Sequence, residues 1–172
     1  MSEKLEQLNQ AAKKTAKSNF LNCCGSQTWA RMMTEARPFA DVSALIKQAG
    51  RIWQNLEPEH WLEAFAAHPK IGAHKAAPKQ QAQSADWSRG EQSGTQTANE
   101  SVLDTMAEAN RLYEKNFGFI FIVCATGKSA EEMLDLCCQR LNNDADSELR
   151  IAADEQRKIT EIRLKKFLEP EN

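Results

Sequence analysis

Apolar residues recur along most of the chain at the three- and four-residue spacing of a helix. Behind Asp41, the residues Val42, Leu45, Ile46, Ala49, Ile52, Trp53 and Leu56 fall on one face. The aspartate supplies the side-chain acceptor that a first helical turn needs. Pro58 suits the first turn of the next helix, which carries Trp61, Leu62, Phe65 and Ala66, because a missing N–H costs nothing at that position. Ser26 opens a segment with Trp29, Met32 and Met33. Residues 97–116 form a long helical stretch faced by Val102, Leu103, Met106, Ala109, Leu112 and Tyr113, with Gly118 placed to end it. Ser129 and Glu132 have capping-box spacing in front of Met133, Leu134, Leu136, Cys137 and Leu141. A last helix starts near Asp146 or Ser147 and carries Leu149, Ala152, Ile159, Ile162 and Phe167. Lys165 and Lys166 lie in its final turns, where the helix dipole favours cations. Over residues 1–16 the pattern is weaker, and only Leu5 and Leu8 hint at a first helix.

Two stretches depart from this period. APKQQAQSADWSRGEQSGTQ is polar and Gln-rich, and reads as a surface loop or a short helix between loops. FGFIFIVCA, residues 117–125, is a continuous apolar run with β-branched and aromatic residues, the composition of a buried strand. No second strand candidate exists to pair with it. The expectation is therefore an all-α single domain over residues 1–172. It would have about seven or eight helices and one extended segment crossing the core, whose backbone groups must find partners elsewhere.

Composition narrows the functional classes. A chain of 172 residues can bury roughly 70% of its unfolded surface without help from disulfides or metal. The formal net charge of -2 and a pI near 6.0, with both signs interspersed, argue against a nucleic-acid partner. No apolar run is long enough for a membrane span. The opening MSEKLEQLNQ lacks the apolar core of a secretory signal. The cysteines, Cys23-Cys24, Cys124 and Cys137-Cys138, include no CxxC and read as reduced, mostly buried thiols of a cytoplasmic protein.

Three places carry candidate chemistry. In WLEAFAAHPKIGAHKAAPK a helical pattern runs into His68-Pro69. The residue before a proline is pushed out of the α region, so the helix should stop near His68. There the dipole favours an imidazolium, as a proton donor or simply as a helix-terminal charge. His60, His68 and His74 lack the spacing of a metal-binding helix pair. In WSRGEQSG, Ser88 and Glu91 again have capping-box spacing. Glu91 and Gln92 would then sit in a helical first turn whose N–H groups attract anions. Arg163, beside Ile159 and Ile162, borders an apolar stripe and needs an anionic partner, either a glutamate or a substrate carboxylate.

HPKIG, S-x-x-EQ, AN-x-x-Y-x-x-x-FGF-x-F and EL…E…KI-x-x-IRL occur in this order over residues 15–168. Together they resemble the 2-oxo-4-hydroxy-4-carboxy-5-ureidoimidazoline (OHCU) decarboxylases of urate breakdown. The resemblance implies an all-helical homodimer that forms (S)-allantoin and CO2 without metal or organic cofactor. It implies catalytic roles for His68 and Glu91, with Pro69 lining the pocket. Substrate binding would fall to Ser88, Arg89, Gly90, Gln92 and Arg163, and to the segment Phe121, Ile122, Val123, Cys124 and Ala125. Ser93-Gly94-Thr95 stands where the family often has Ala-Gly-Leu. Asn116 replaces a usual Lys or Arg, and Ile120 a common Pro. These departures bear on fine specificity rather than reaction type. The rival readings are a non-enzymatic helical interaction domain, in which the same residues are caps and ion pairs, and a metal-dependent hydrolase of a related ureido compound.

Overall fold

The computed structural model describes residues 3–73 and 81–169. Among them the secondary structure is helical: α1 (Glu3–Gln10), α2 (Lys13–Cys23), α3 (Gln27–Glu35), α4 (Val42–Gln54), α5 (Pro58–Ala66), α6 (Ala82–Glu91), α7 (Glu100–Phe117), α8 (Ala130–Arg140) and α9 (Ala145–Leu168), with one 3-10 turn at Ser93–Thr95. Among the described residues nine helices stand where about seven or eight were expected. The excess arises near the N-terminus, where α2 buries only Ala16, Phe20, Asn22 and Cys23, too few apolar positions to print a stripe. His74 falls outside the described residues.

The chain divides into two compact units, Met1–Ala64 with Arg157–Asn172, and Phe65–Gln156. In the first unit Ser26 Oγ accepts from Trp29 N–H at 3.2 Å and Asp41 Oδ1 from Ala44 N–H at 2.7 Å, so both expected N-caps form. Trp29 is fully buried and donates its indole N–H to Ala49 O at 3.1 Å. Phe20 packs edge-on against it at 5.9 Å. The Arg37 guanidinium closes the end of α1, donating to Leu8 O at 2.6 Å and Ala11 O at 2.8 Å.

In the second unit α7 and α8 pack around a core of Ile71, Met106, Ala109, Tyr113, Phe121, Val123, Ala125, Met133 and Cys137. Asn99 Oδ1 caps α7 through Val102 N–H at 2.9 Å, and Gly118 ends it at φ +78°, a left-handed conformation glycine adopts without a Cβ clash. Ser129 and Glu132 form the expected capping box at the start of α8. Residues 121–125 run through this unit as neither helix nor strand, with all five side chains buried.

Candidate active site

His68 follows α5 and donates its backbone N–H to Phe65 O at 3.0 Å, so the helix stops where the following Pro69 requires. From here the HPKIG loop is fastened at successive points. The His68 imidazole Nε2 lies 2.6 Å from Gln156 Oε1. Lys70 Nζ meets Glu114 Oε2 at 2.5 Å, Asn110 Nδ2 donates to Ile71 O at 3.0 Å, and Gly72 N–H donates to Gln92 Oε1 at 3.0 Å. Gly72 has φ +77°, which a side chain would make costly. The loop is thus tied to α7, to α9 and to the residue that follows α6, with Pro69 half-buried.

The Ser88–Gln92 stretch corrects the sequence reading. Ser88 does not cap a helix: it lies inside α6, which begins at Ala82 and ends at Glu91. Ser88 O accepts from Gln92 N–H at 3.0 Å, the bond of a helix that is already under way. Glu91 and Gln92 therefore occupy the C-terminal end of α6 and not an anion-attracting first turn. The reason is that Ala, Gln and Ser upstream of Ser88 are all compatible with helix, so nothing stops α6 from starting earlier. Ser88 is buried and Glu91 and Gln92 half-buried, whereas Arg89 and Gly90 are exposed. Arg89 pairs with Asp86 one turn back on that outer face.

The segment Phe121, Ile122, Val123, Cys124 and Ala125 was expected to leave backbone groups available. Several are taken by side chains of the same unit. Ile122 O accepts from Arg140 at 2.7 Å, Cys124 N–H donates to Glu155 Oε2 at 2.7 Å, and Cys124 O accepts from Lys128 Nζ at 2.8 Å. Arg140 is itself buried, ion-paired with Glu148 at 2.6 Å, and its guanidinium stacks 4.7 Å over the Phe121 ring. Burial raises the Tyr113 hydroxyl far above its usual range, and its hydrogen bond to Glu148 adds to this. Burial first, then the charges of Glu155 and, more weakly, Glu91, raise the Cys124 thiol. Glu91 is therefore within electrostatic reach of the extended segment.

Arg163 belongs to the first unit. It is buried, and donates to Asn22 O at 3.4 Å. Burial pushes the neighbouring Cys24 thiol up to about 11, outweighing the hydrogen bonds with Ser26 and Thr160 and the charge of Arg163, which lower it. Such a thiol stays protonated and unreactive at neutral pH. A cavity of about 320 Å³ in the same unit is lined by α4 and α9, among them Lys47, Arg51, Trp53, Arg157 and Glu161. It includes none of the candidate residues. Among the described residues no cluster of three or more His, Cys, Asp or Glu side chains could hold a metal ion, and no helix is long and apolar enough to cross a membrane.

The family model for OHCU decarboxylase matches residues 9–165, which takes in the loop, the end of α6, the buried segment and Arg163. The chain belongs to the OHCU decarboxylase family. It is 44% identical over 147 residues to the uric acid degradation bifunctional protein TTL of Arabidopsis thaliana, covering 84% of this chain and 45% of that protein. The chain thus spans less than half the length of that relative. An OHCU decarboxylase of Amia calva is 32% identical over 138 residues, covering 77% of this chain and 75% of its own length. A crystal structure of OHCU decarboxylase in the presence of (S)-allantoin superposes with a TM-score of 0.77 at 38% identity, covering 92% of this chain and 99% of that one. Membership of the family explains why the expected motifs stand in order, but it does not reveal Gln156, Glu155 or Arg140. Gln156 left one trace in the sequence: with Thr160 it interrupts, at helical spacing, the apolar face that Ala152 and Ile159 share.

Proposed function

We propose that this chain is a cofactor-independent carboxy-lyase. It would convert 2-oxo-4-hydroxy-4-carboxy-5-ureidoimidazoline to (S)-allantoin and CO2 in urate degradation. One observation carries the reading: Gln92, next to Glu91, accepts the Gly72 N–H of the loop that begins at His68. The two motifs that resemble the family's catalytic elements are thereby built into one unit. In the reaction the C–COO⁻ bond breaks, CO2 departs, and its electron pair passes into the adjoining ring system. A proton then reaches the resulting carbon from one face only. His68 supplies that proton, and Glu91 keeps the imidazole charged and in place. Ser88, Gln92, Arg163 and the Phe121–Ala125 segment bind substrate, with Pro69 as a wall. Arg89 and Gly90, exposed on α6, belong to the binding stretch through their backbone. The working unit in this reading is a single domain acting as a homodimer in the cytoplasm.

The test generates substrate fresh from urate with urate oxidase and hydroxyisourate hydrolase, adds this protein, and follows circular dichroism. Rapid appearance of (S)-allantoin is expected. In His68→Ala the rate should fall by about 10²–10⁴-fold with the helical spectrum intact. Turnover no faster than spontaneous racemic decay would remove the activity, and near-normal turnover in the variant would remove the role of His68.

A further inference from the structure

Gln156 is fully buried on α9, and its Oε1 stands 2.6 Å from His68 Nε2. The residue before it, Glu155, accepts the Cys124 N–H at 2.7 Å. Consecutive residues of one helix thus hold the imidazole and the extended segment, all within the second unit. A carbonyl oxygen can only accept a hydrogen bond. With the carboxamide oxygen facing the ring, Nε2 carries a proton in both the neutral and the charged imidazole, which leaves Nδ1 as the ring atom whose protonation can change.

We infer that Gln156 is a positioning residue that locks His68 in its Nε2–H tautomer and so assigns all proton traffic to Nδ1. This deepens the proposed function and rests on it for its catalytic consequence, though the tautomer itself does not. The step balances simply. After CO2 leaves, the electron pair held in the ring takes the proton from Nδ1–H, and His68 becomes neutral with Nε2–H still bonded to Gln156. Recharging Nδ1 from solvent or the next substrate's acidic proton restores the cation. A glutamine at Nε2 fixes the ring's direction without itself adding a charge, which leaves the charged form to be favoured by Glu91 as proposed above. The other neutral tautomer would require the Gln156 carboxamide to turn over and present its NH2 to Nε2, and burial leaves the displaced oxygen no water to accept from.

The test reads the ring directly by ¹⁵N-detected NMR of histidine-labelled protein across pH, alongside turnover. In the wild-type protein, neutral His68 should be the Nε2–H tautomer. Gln156→Leu should mix the tautomers and lower kcat by about 10²-fold with KM little changed. Gln156→Glu should keep the tautomer, recover folding if the leucine variant is unstable, and raise the imidazolium midpoint by about one pH unit. The limb of the rate profile governed by His68 would move with it. A wild-type Nδ1–H tautomer, or a His68 spectrum and pH profile unmoved by either substitution, overturns the inference. Should the tautomer behave as expected while no form of the protein turns over substrate, the positioning stands and the decarboxylase reading falls.

Discussion

The chain contains the spacing Ser-x-x-Glu twice in comparable form, at Ser88–Glu91 and Ser129–Glu132, and folds the two in different ways. At Ser129 the hydroxyl accepts from Glu132 N–H at 3.1 Å and the Glu132 carboxylate accepts from Ser129 N–H at 2.7 Å. That reciprocal pair requires a serine outside the helix, and Ser129 has the extended backbone to provide it, φ -74° and ψ 165°. Ser88 lies within α6, and its Glu91 closes that helix. What differs is the preceding chain. Thr126, Gly127 and Lys128 turn sharply before Ser129, with Gly127 at φ +79°, whereas Ala82 to Trp87 run straight into Ser88 as helix. A capping motif therefore needs a break in front of it. Without one, the same spacing places two polar side chains on one face of a helix end, where they can serve a site.

The two stretches also meet. A Cβ built on Gly94, just past Glu91, would stand 2.1 Å from Lys128 O and 3.2 Å from Ser129 Cα. Only a glycine lets the turn after α6 lie against the backbone that launches α8. Because Lys128 Nζ also holds Cys124 O, this approach fixes the end of α6 to the end of the buried segment.

Four substitutions would break or sharpen this contrast. The largest effect is expected for Glu91→Gln, which should lower kcat/KM by about 10²–10⁴-fold with an unchanged melting temperature, as judged by the coupled dichroism assay and thermal unfolding. Comparable activity in the variant would reduce Ser88–Glu91 to a helix end. Next, Gly94→Ala forces two backbones apart. It should cost about 1–3 kcal/mol in urea unfolding, the usual range for overpacking, and should lower activity as well. An unaltered unfolding midpoint would mean that the approach of the two turns is unimportant. The smallest effect separates the serines. Ser129→Ala should cost about 1 kcal/mol, or about 2–4 °C of melting temperature, and leave turnover alone. Ser88→Ala should do the reverse, reducing activity with little loss of stability. Identical behaviour of the two alanine variants would erase the distinction.

Much of the molecule was legible before folding was considered. Asp41, Ser26, Ser129 and Gly118 each act within three or four residues of themselves, so their roles follow from local hydrogen bonding and backbone sterics. The stop at His68 follows likewise from Pro69. The ordered motifs from HPKIG to IRL carried the family. The second N-terminal helix escaped notice because α2 buries little apolar surface, and the Ser88 cap was misread because spacing alone cannot say where a helix begins.

Other decisions belong to the tertiary structure alone. Gln156 meets His68 across 88 positions of sequence, and Glu155 meets Cys124 across 31. Such bonds exist because burial denies water to polar groups, and each must then pair with whatever the fold brings within reach. The sequence by itself determined the helices, most of their ends and the family's motifs, all of which depend on near neighbours. Which nitrogen of His68 is held, and which side chains occupy the backbone of the lone apolar run, was settled only when distant segments packed together.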